Sequence, residues 1–469
     1  MEAKRLKWIG WFGWGIVAAL ALIFYRERIL YTDTAYYLFH LTNTEWFFFG
    51  VERYGAFPTQ IPVLLLIQLG VSLKGLAVVY SLSFVALQAG LSALAVHRFR
   101  MPWMGLAMLL TFILTIQESF YHTVTETHQA MAWSLFFMAW LWFRKDRRGS
   151  RADALTIAVA LLAILFCFAN HPVTVFTLGF IIVYFMIDTG RLFDKRILFF
   201  LGFIFLIYLL KYLLQPEDSY EGDQFSQFAL IFELLPSITS WHPFKFFAVH
   251  FTRLYLFLTL LWVLTLAGLL LQKKYLLAGW VFLATLGVFF ITGLAYNRGD
   301  SDIMMEKNFP PIALMVVVPF FKEVFSGNWF SVNLRYGLLI LVIGVSLGRI
   351  AGGSKWFTQR QTLTQTMLER GVEEQQSKLI TLQEQLPVAK FKVTWAFACE
   401  SLIQSALEGP DKAATIYLAN SPEQLEELKA TENAFLMVDW WKYWPEDQLN
   451  PRYYKLRGKQ YKVYDPCFY

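Results

Sequence analysis

Charged side chains are scarce in this chain, forming 16% of its 469 residues against about 25% in an ordinary soluble domain. That scarcity excludes a soluble globular protein. Hydrophobic residues reach 57% and aromatics 18%, more apolar surface than an interior core absorbs, so lipid must serve as part of the solvent. Cysteine is rarer still: three residues exclude a disulfide scaffold and show no metal-ligand spacing. No Walker-type phosphate loop occurs, and no internal repeat of the kind common in transporters is evident. The net charge of +6 matters less than where the charges sit.

What is abundant is long apolar runs. A helix needs roughly 20 apolar residues to cross the hydrocarbon core. The first run, about 8–24, follows Lys4, Arg5 and Lys7 and is followed by Tyr25-Arg26-Glu27-Arg28 where a signal peptide would carry small residues. It reads as a retained anchor running outward from the cytoplasm. Further runs lie near 75–96, 102–117, 129–143, 153–169, 172–187, 197–214, 248–271, 275–295, 309–325 and 333–350, making eleven crossings.

Alternating topology sorts the charges. The short basic connections (97–100, 144–148, 191–196 and 273–274) fall on the cytoplasmic side. Glu118, Glu126, Glu217, Asp218, Glu221, Asp223, Asp300 and Asp302 fall on the other. The C-terminus is then extracytoplasmic, and the inner (plasma) membrane of a bacterium is the expected location.

The expected fold class is an all-α polytopic membrane module over residues 1–350, followed by a small α/β extracytoplasmic domain over 351–469. Within the first outer segment, about 25–74, the apolar stretch Ile61–Ile67 is too short to span and reads as an interfacial helix. The segment Thr358–Leu386 reads as an amphipathic stalk, Ser421-Pro422-Glu423-Gln424 as a capping box, and 414–418 and 435–438 as strands. Cys399 and Cys467 both lie in this last domain, and an oxidising compartment leaves their pairing open.

Ionisable residues near a membrane interior are functional candidates. Here they collect on one side: of seven histidines, His40, His122, His128, His171, His242 and His250 map to outer ends or loops. Asp33 lies just beyond the first span, where it either caps a helix or serves as a base. Glu118, His122 and Glu126 recur every fourth residue. If helical they share a face that suits a divalent metal, sugar hydroxyls, or a plain hydrogen-bonded row. Arg298 and Lys307, ahead of Phe309-Pro310-Pro311, suit a phosphate at a membrane surface or ordinary loop solvation. Tyr36, Tyr37, His40, Arg53, His128 and His171 complete the candidate substrate contacts.

Together these features resemble the GT-C superfamily of membrane glycosyltransferases, which use polyprenyl-phosphate-linked sugars. The resemblance rests on Asp33 early in a long outer loop, on Tyr54-Gly55-Ala56-Phe57-Pro58-Thr59-Gln60-Ile61-Pro62-Val63-Leu64-Leu65 followed by Leu69-Gly70, and on the helix ending at His97-Arg98. That stretch is similar to the proline-containing segment of the protein mannosyltransferase and aminoarabinose transferase branches. Many members carry paired acids, whereas here Asp33 is followed by Thr34 and Ala35.

The resemblance implies a sugar moved from a lipid phosphate to a glycan, lipid or protein acceptor, with Asp33 as base and inversion at the anomeric carbon. It implies phosphate held by Arg298 and Lys307 or cations near them, with membrane lipids as surroundings; the acidic outer loops argue against a nucleic-acid role. A transporter or lipid flippase is the rival reading, and a non-catalytic scaffold the third.

Overall fold

A computed structural model describes residues 2–50, 53–146, 150–214, 216, 222, 226–228, 230–299, 302–327, 331–373, 376–387, 390–438 and 443–464. The chain is a predominantly helical, polytopic membrane protein. Eight described helices are long and apolar enough to cross a membrane, and two shorter apolar helices, Pro102–Ile113 and Thr174–Thr189, accompany them. Exposed Leu, Phe and Val side chains along these helices, such as Leu213, Leu271 and Leu283, match a lipid-facing surface rather than a watery one.

The amino-terminal elements follow one another closely. Helix α1 (Glu2–Ile23) is followed by the short α2 (Tyr25–Ile29), α3 (Thr32–Thr44), α4 (Phe57–Gln68) and α5 (Leu73–Ala93). Helices α6 (Pro102–Ile113) and α7 (Glu126–Arg144) come next. At 12 residues α4 rises about 18 Å, too little to cross. Gly13 lets α1 approach α6; a Cβ there would meet Leu109 Cδ2 at 2.3 Å.

The helix Val332–Glu373 runs unbroken for 42 residues, about 63 Å. That is roughly twice the hydrocarbon thickness, so its polar second half must leave the membrane. The helix runs on through residue 350, where the composition changes, and takes in residues 358–373 of the segment read as a stalk. Residues 378–382 form a strand instead.

Beyond it lies a small α/β unit. A parallel sheet in the order β2-β1-β5 comprises β1 (Lys378–Leu382), β2 (Thr415–Ala419) and β5 (Lys462–Val463), with Lys378 opposite Thr415. Strands β3 (Ala434–Phe435) and β4 (Trp444–Pro445) form an antiparallel pair, so the strand expected over 435–438 is shorter and starts earlier. Ser421 caps the helix Pro422–Lys429 by accepting the Gln424 N–H, and the Gln424 side chain accepts the N–H of Asn420. Cys399 is buried and free; Cys467 lies outside the described residues.

The α/β unit does not stand apart. Cys399, Leu402, Ile403 and Tyr454 share one buried apolar cluster with Leu38, Phe39 and Leu41 of α3 and with Leu76 and Tyr80 of α5. A second, larger cluster fills the helical bundle.

A candidate active-site cavity at the helix ends

The site begins at the break between α1 and α3. Arg28 is buried, and its guanidinium forks onto α5: Nε donates to Ser81 Oγ at 2.8 Å and Nη2 to the Ser81 carbonyl at 3.2 Å. Nη1 donates to the Phe120 carbonyl, and the cation lies 4.0 Å from the Phe120 ring centroid. Thr123 Oγ1 returns a bond to the Arg28 carbonyl at 2.8 Å. These contacts fix the segment that carries His122.

That segment is not helical. The chain from 114 to 125 is an irregular loop between α6 and α7, so Glu118, His122 and Glu126 do not form the expected row. The reason is side-chain substitution for helix bonds. Arg349 Nη2 takes the carbonyls of Ile113, Leu114 and Ile116 at 2.8, 3.0 and 3.2 Å. Glu306 Oε2 accepts the N–H groups of Gln117 and Ser119 at 2.7 and 2.8 Å. Irregular backbone beside a bilayer persists only when protein groups satisfy it in this way. Gly353 leaves room for the loop; a Cβ there would sit 3.0 Å from the Gln117 carbonyl oxygen.

His122 then faces Asp33. Its Nε2 lies 3.0 Å from Asp33 Oδ2 and 3.2 Å from Lys307 Nζ, and Lys307 Nζ is 3.6 Å from the same carboxylate oxygen. Asp33 is not the helix cap: Tyr31 holds that position without a side-chain bond, leaving the carboxylate free to enter the cluster. Burial disfavours charge on Asp33, but the charge and hydrogen bond of His122, then Lys307 and Arg53, outweigh it and hold the carboxyl below the usual carboxylate range. A second ion pair, Arg53–Glu126 at 3.2 Å, stands beside the first, and both of its side chains are less exposed than Asp33.

These groups line one cavity of about 690 Å³ together with Tyr31, Tyr36, Tyr37, Phe49, His171, Tyr296 and Trp395. The size suits a ligand of drug-like or sugar-like dimensions. Tyr37 closes one wall: its hydroxyl accepts the Gly50 N–H at 2.9 Å, so close that a Cβ at Gly50 would lie 2.8 Å from that oxygen. Trp395 comes from the α/β unit and meets Tyr36 edge-on at 5.3 Å.

No protein-family model, curated protein or solved structure matches the chain. The functional reading therefore rests on the residues themselves.

The cavity brings together Asp33, Tyr36, Tyr37, Arg53, His122, Glu126, His171 and Lys307. Other expected contacts fall elsewhere. Arg298 sits on an exposed turn and is not among the described lining residues. His40 lies behind the wall, stacked on Phe48 at 4.0 Å. His128 is buried between helices, edge-on to Phe112 at 5.5 Å. Glu118 is half-buried outside the cavity; burial raises its carboxyl, with Asp302 adding to the rise and Lys392 opposing it. Among the described residues no three His, Cys, Asp or Glu side chains converge to hold a metal.

Sequence reasoning missed Arg28, Glu306, Arg349 and Trp395. Arg349 carried a usable signal, being the one arginine inside the apolar run 333–350 apart from Arg335 at its start. Glu306 adjoined Lys307 and was overlooked beside the cations. Arg28 and Trp395 had no local pattern to mark them.

Proposed function

We propose that this chain is an integral membrane glycosyltransferase that moves a sugar from a polyprenyl-phosphate donor to a hydroxyl or amine acceptor, with inversion at the anomeric carbon. The observation that carries this reading is the convergence, in one cavity of about 690 Å³, of a carboxylate (Asp33), two cations (Lys307 and Arg53) and a wall of aromatic rings. A carboxylate suits deprotonation of an acceptor, cations suit a departing phosphate, and aromatic faces suit a sugar.

In this proposal the acceptor O–H or N–H gives its proton to Asp33 as the heteroatom attacks the anomeric carbon. The bond from that carbon to the phosphate oxygen breaks, and the electron pair leaves with the polyprenyl phosphate. Lys307 and Arg53 neutralise the phosphate, in place of the pair Arg298 and Lys307.

His122, Lys307 and Arg53 hold Asp33 ionised and make it a weak base. A donor phosphate that draws Lys307 away removes one of them and raises the basicity of Asp33 when the donor is in place. The proposal further takes the membrane module as eleven-spanning and GT-C-like, with the cavity and the α/β unit on the extracytoplasmic side. Its acceptor is a glycan, lipid or protein, and nucleic acid has no part in it.

The test is native mass spectrometry of lipids retained by the purified chain, wild type against Asp33→Asn, in the presence of supplied polyprenyl-phosphate hexoses. Retention by Asp33→Asn and turnover by wild type with acceptor extract support the reading. If neither protein binds such a lipid, the transferase reading is lost and transport assays take its place.

A further inference from the structure

The residue that precedes Asp33 is strained. Thr32 has φ +36°, in the left-handed region that a β-branched residue rarely enters. Its N–H, the first of α3, points to the α/β unit and donates to Glu400 Oε1 at 3.0 Å. Glu400 begins its span of contacts on the helix Phe397–Ala406 and is itself buried, 2% exposed. Arg360, on the long helix Val332–Glu373, clamps it with Nε to Oε2 at 2.9 Å and Nη2 to Oε1 at 3.0 Å. The same guanidinium lies over the Tyr31 ring at 5.2 Å, and Tyr31 meets His122 edge-on at 5.6 Å.

The far end of α3 is held by the same unit. Asn450 Nδ2 donates to the Thr42 carbonyl at 2.9 Å, and the Tyr454 hydroxyl is 2.7 Å from Thr42 Oγ1. The helix that carries Asp33 is thus gripped at both termini by residues more than 350 positions away.

We propose that Glu400 is a positioning residue for Asp33: by accepting the Thr32 N–H it holds the strained start of α3 and sets the carboxylate against His122 and Lys307. The α/β unit is therefore an obligatory part of the site. The consequence for turnover rests on Asp33 being the reacting carboxylate; the positioning itself does not. Burial of Glu400 raises its carboxyl, which the Arg360 charge and the Thr32 N–H oppose, so the contact depends on both partners.

The experiment uses the full chain in detergent with ring-labelled histidine, the His122 signals being assigned by their loss in His122→Gln. Arg360→Leu with Glu400→Leu removes the acceptor without leaving a buried charge. The His122 ring shifts should move toward those of Asp33→Asn. Adding Thr32→Gly, which adopts the left-handed φ without strain, should restore them. Glu400→Gln combined with Arg360→Met keeps an acceptor oxygen, leaves no buried charge unpaired and should hold the shifts near wild-type values. It also serves as the test should the double leucine variant fail to fold, since shifts that move in this pair as far as in Asp33→Asn overturn the acceptor role.

Unmoved shifts in the double variant, or moved shifts that Thr32→Gly does not restore, overturn the proposal. Where wild type transfers sugar from a supplied polyprenyl-phosphate hexose, the double variant should lose about 100-fold in kcat with KM little changed, the penalty of a misplacement near 1 Å. Absence of transfer by wild type counts against the transferase reading alone, because the histidine signals decide the role of Glu400 without it.

Discussion

The imidazole of His122 meets the carboxylate of Asp33 at 3.0 Å, joining an irregular loop between two helices to the first turn of a third. Asp33→Asn keeps an acceptor oxygen for that bond but removes its negative charge and the proposed base. It should lower transfer by about 10³-fold, within the usual range for a general base, while donor binding survives. His122→Gln should lower transfer less, because Lys307 still faces the carboxylate. Single-turnover assays with supplied donor measure both; equal losses would argue that His122 itself takes the proton.

Two cations of one segment are expected to behave differently. Lys307 lines the cavity and Arg298 lies on an exposed turn. Lys307→Ala should weaken binding of a polyprenyl phosphate by about 10²-fold, as loss of a buried phosphate partner does. Arg298→Ala should change it less than about twofold. Binding measured in nanodiscs at fixed salt distinguishes them, and the reverse order would restore Arg298 to the site.

Arg28 acts as a splint. Replacing it by Ala leaves the Ser81 and Phe120 carbonyls without their charged donor and should cost about 3 kcal/mol. Arg28→Lys should recover little, since an ammonium cannot reproduce the fork across Ser81 and Phe120. Thermal unfolding in detergent reports the loss. A lysine variant as stable as wild type would contradict the fork.

Gly55 and Gly13 separate rigid from yielding neighbours. A Cβ at Gly55 would lie 2.8 Å from the Ala169 backbone carbon as well as 2.3 Å from Asn170 Nδ2. At Gly13 the obstacle is the Leu109 side chain, which can rotate. Gly55→Ala should destabilise by about 1–3 kcal/mol and Gly13→Ala by less, readable as the difference in their melting temperatures.

His40 makes stability pH-dependent. Burial lowers its imidazole from 6.5 to about 4. Between those values the unfolded chain binds the proton and the folded chain does not. Stability is therefore lost as the pH falls from about 6.5 to about 4, by up to about 3 kcal/mol. His40→Phe should flatten that part of the melting-temperature profile; an unchanged slope would assign it to other groups.

Some of this was legible in the residues. The long apolar runs had to be helices facing lipid, because composition and length leave no other solvent. Asp33 and Lys307 stood out as ionisable groups at the ends of such runs, and both reach the cavity. The spacing of Glu118, His122 and Glu126 marks a shared face only if the backbone is helical, and here 114–125 is not, although His122 and Glu126 both reach the cavity. Arg349 and Glu306 had taken over the bonds that a helix would have made.

The amino-acid sequence by itself determined the class of this protein: a helical membrane chain with ionisable groups gathered near helix ends. Only the tertiary structure decided which of those groups meet. Hydrophobic periodicity says which surface seeks lipid or core, but it carries nothing about a bond between residues 368 positions apart, such as Thr32 and Glu400. Likewise Arg298 and Lys307 have the same charge and nearly the same address, yet Arg298 is exposed and Lys307, on the helix Asp302–Asn308, is buried. Such pairings depend on packing of distant segments, and that packing is a property of the folded whole.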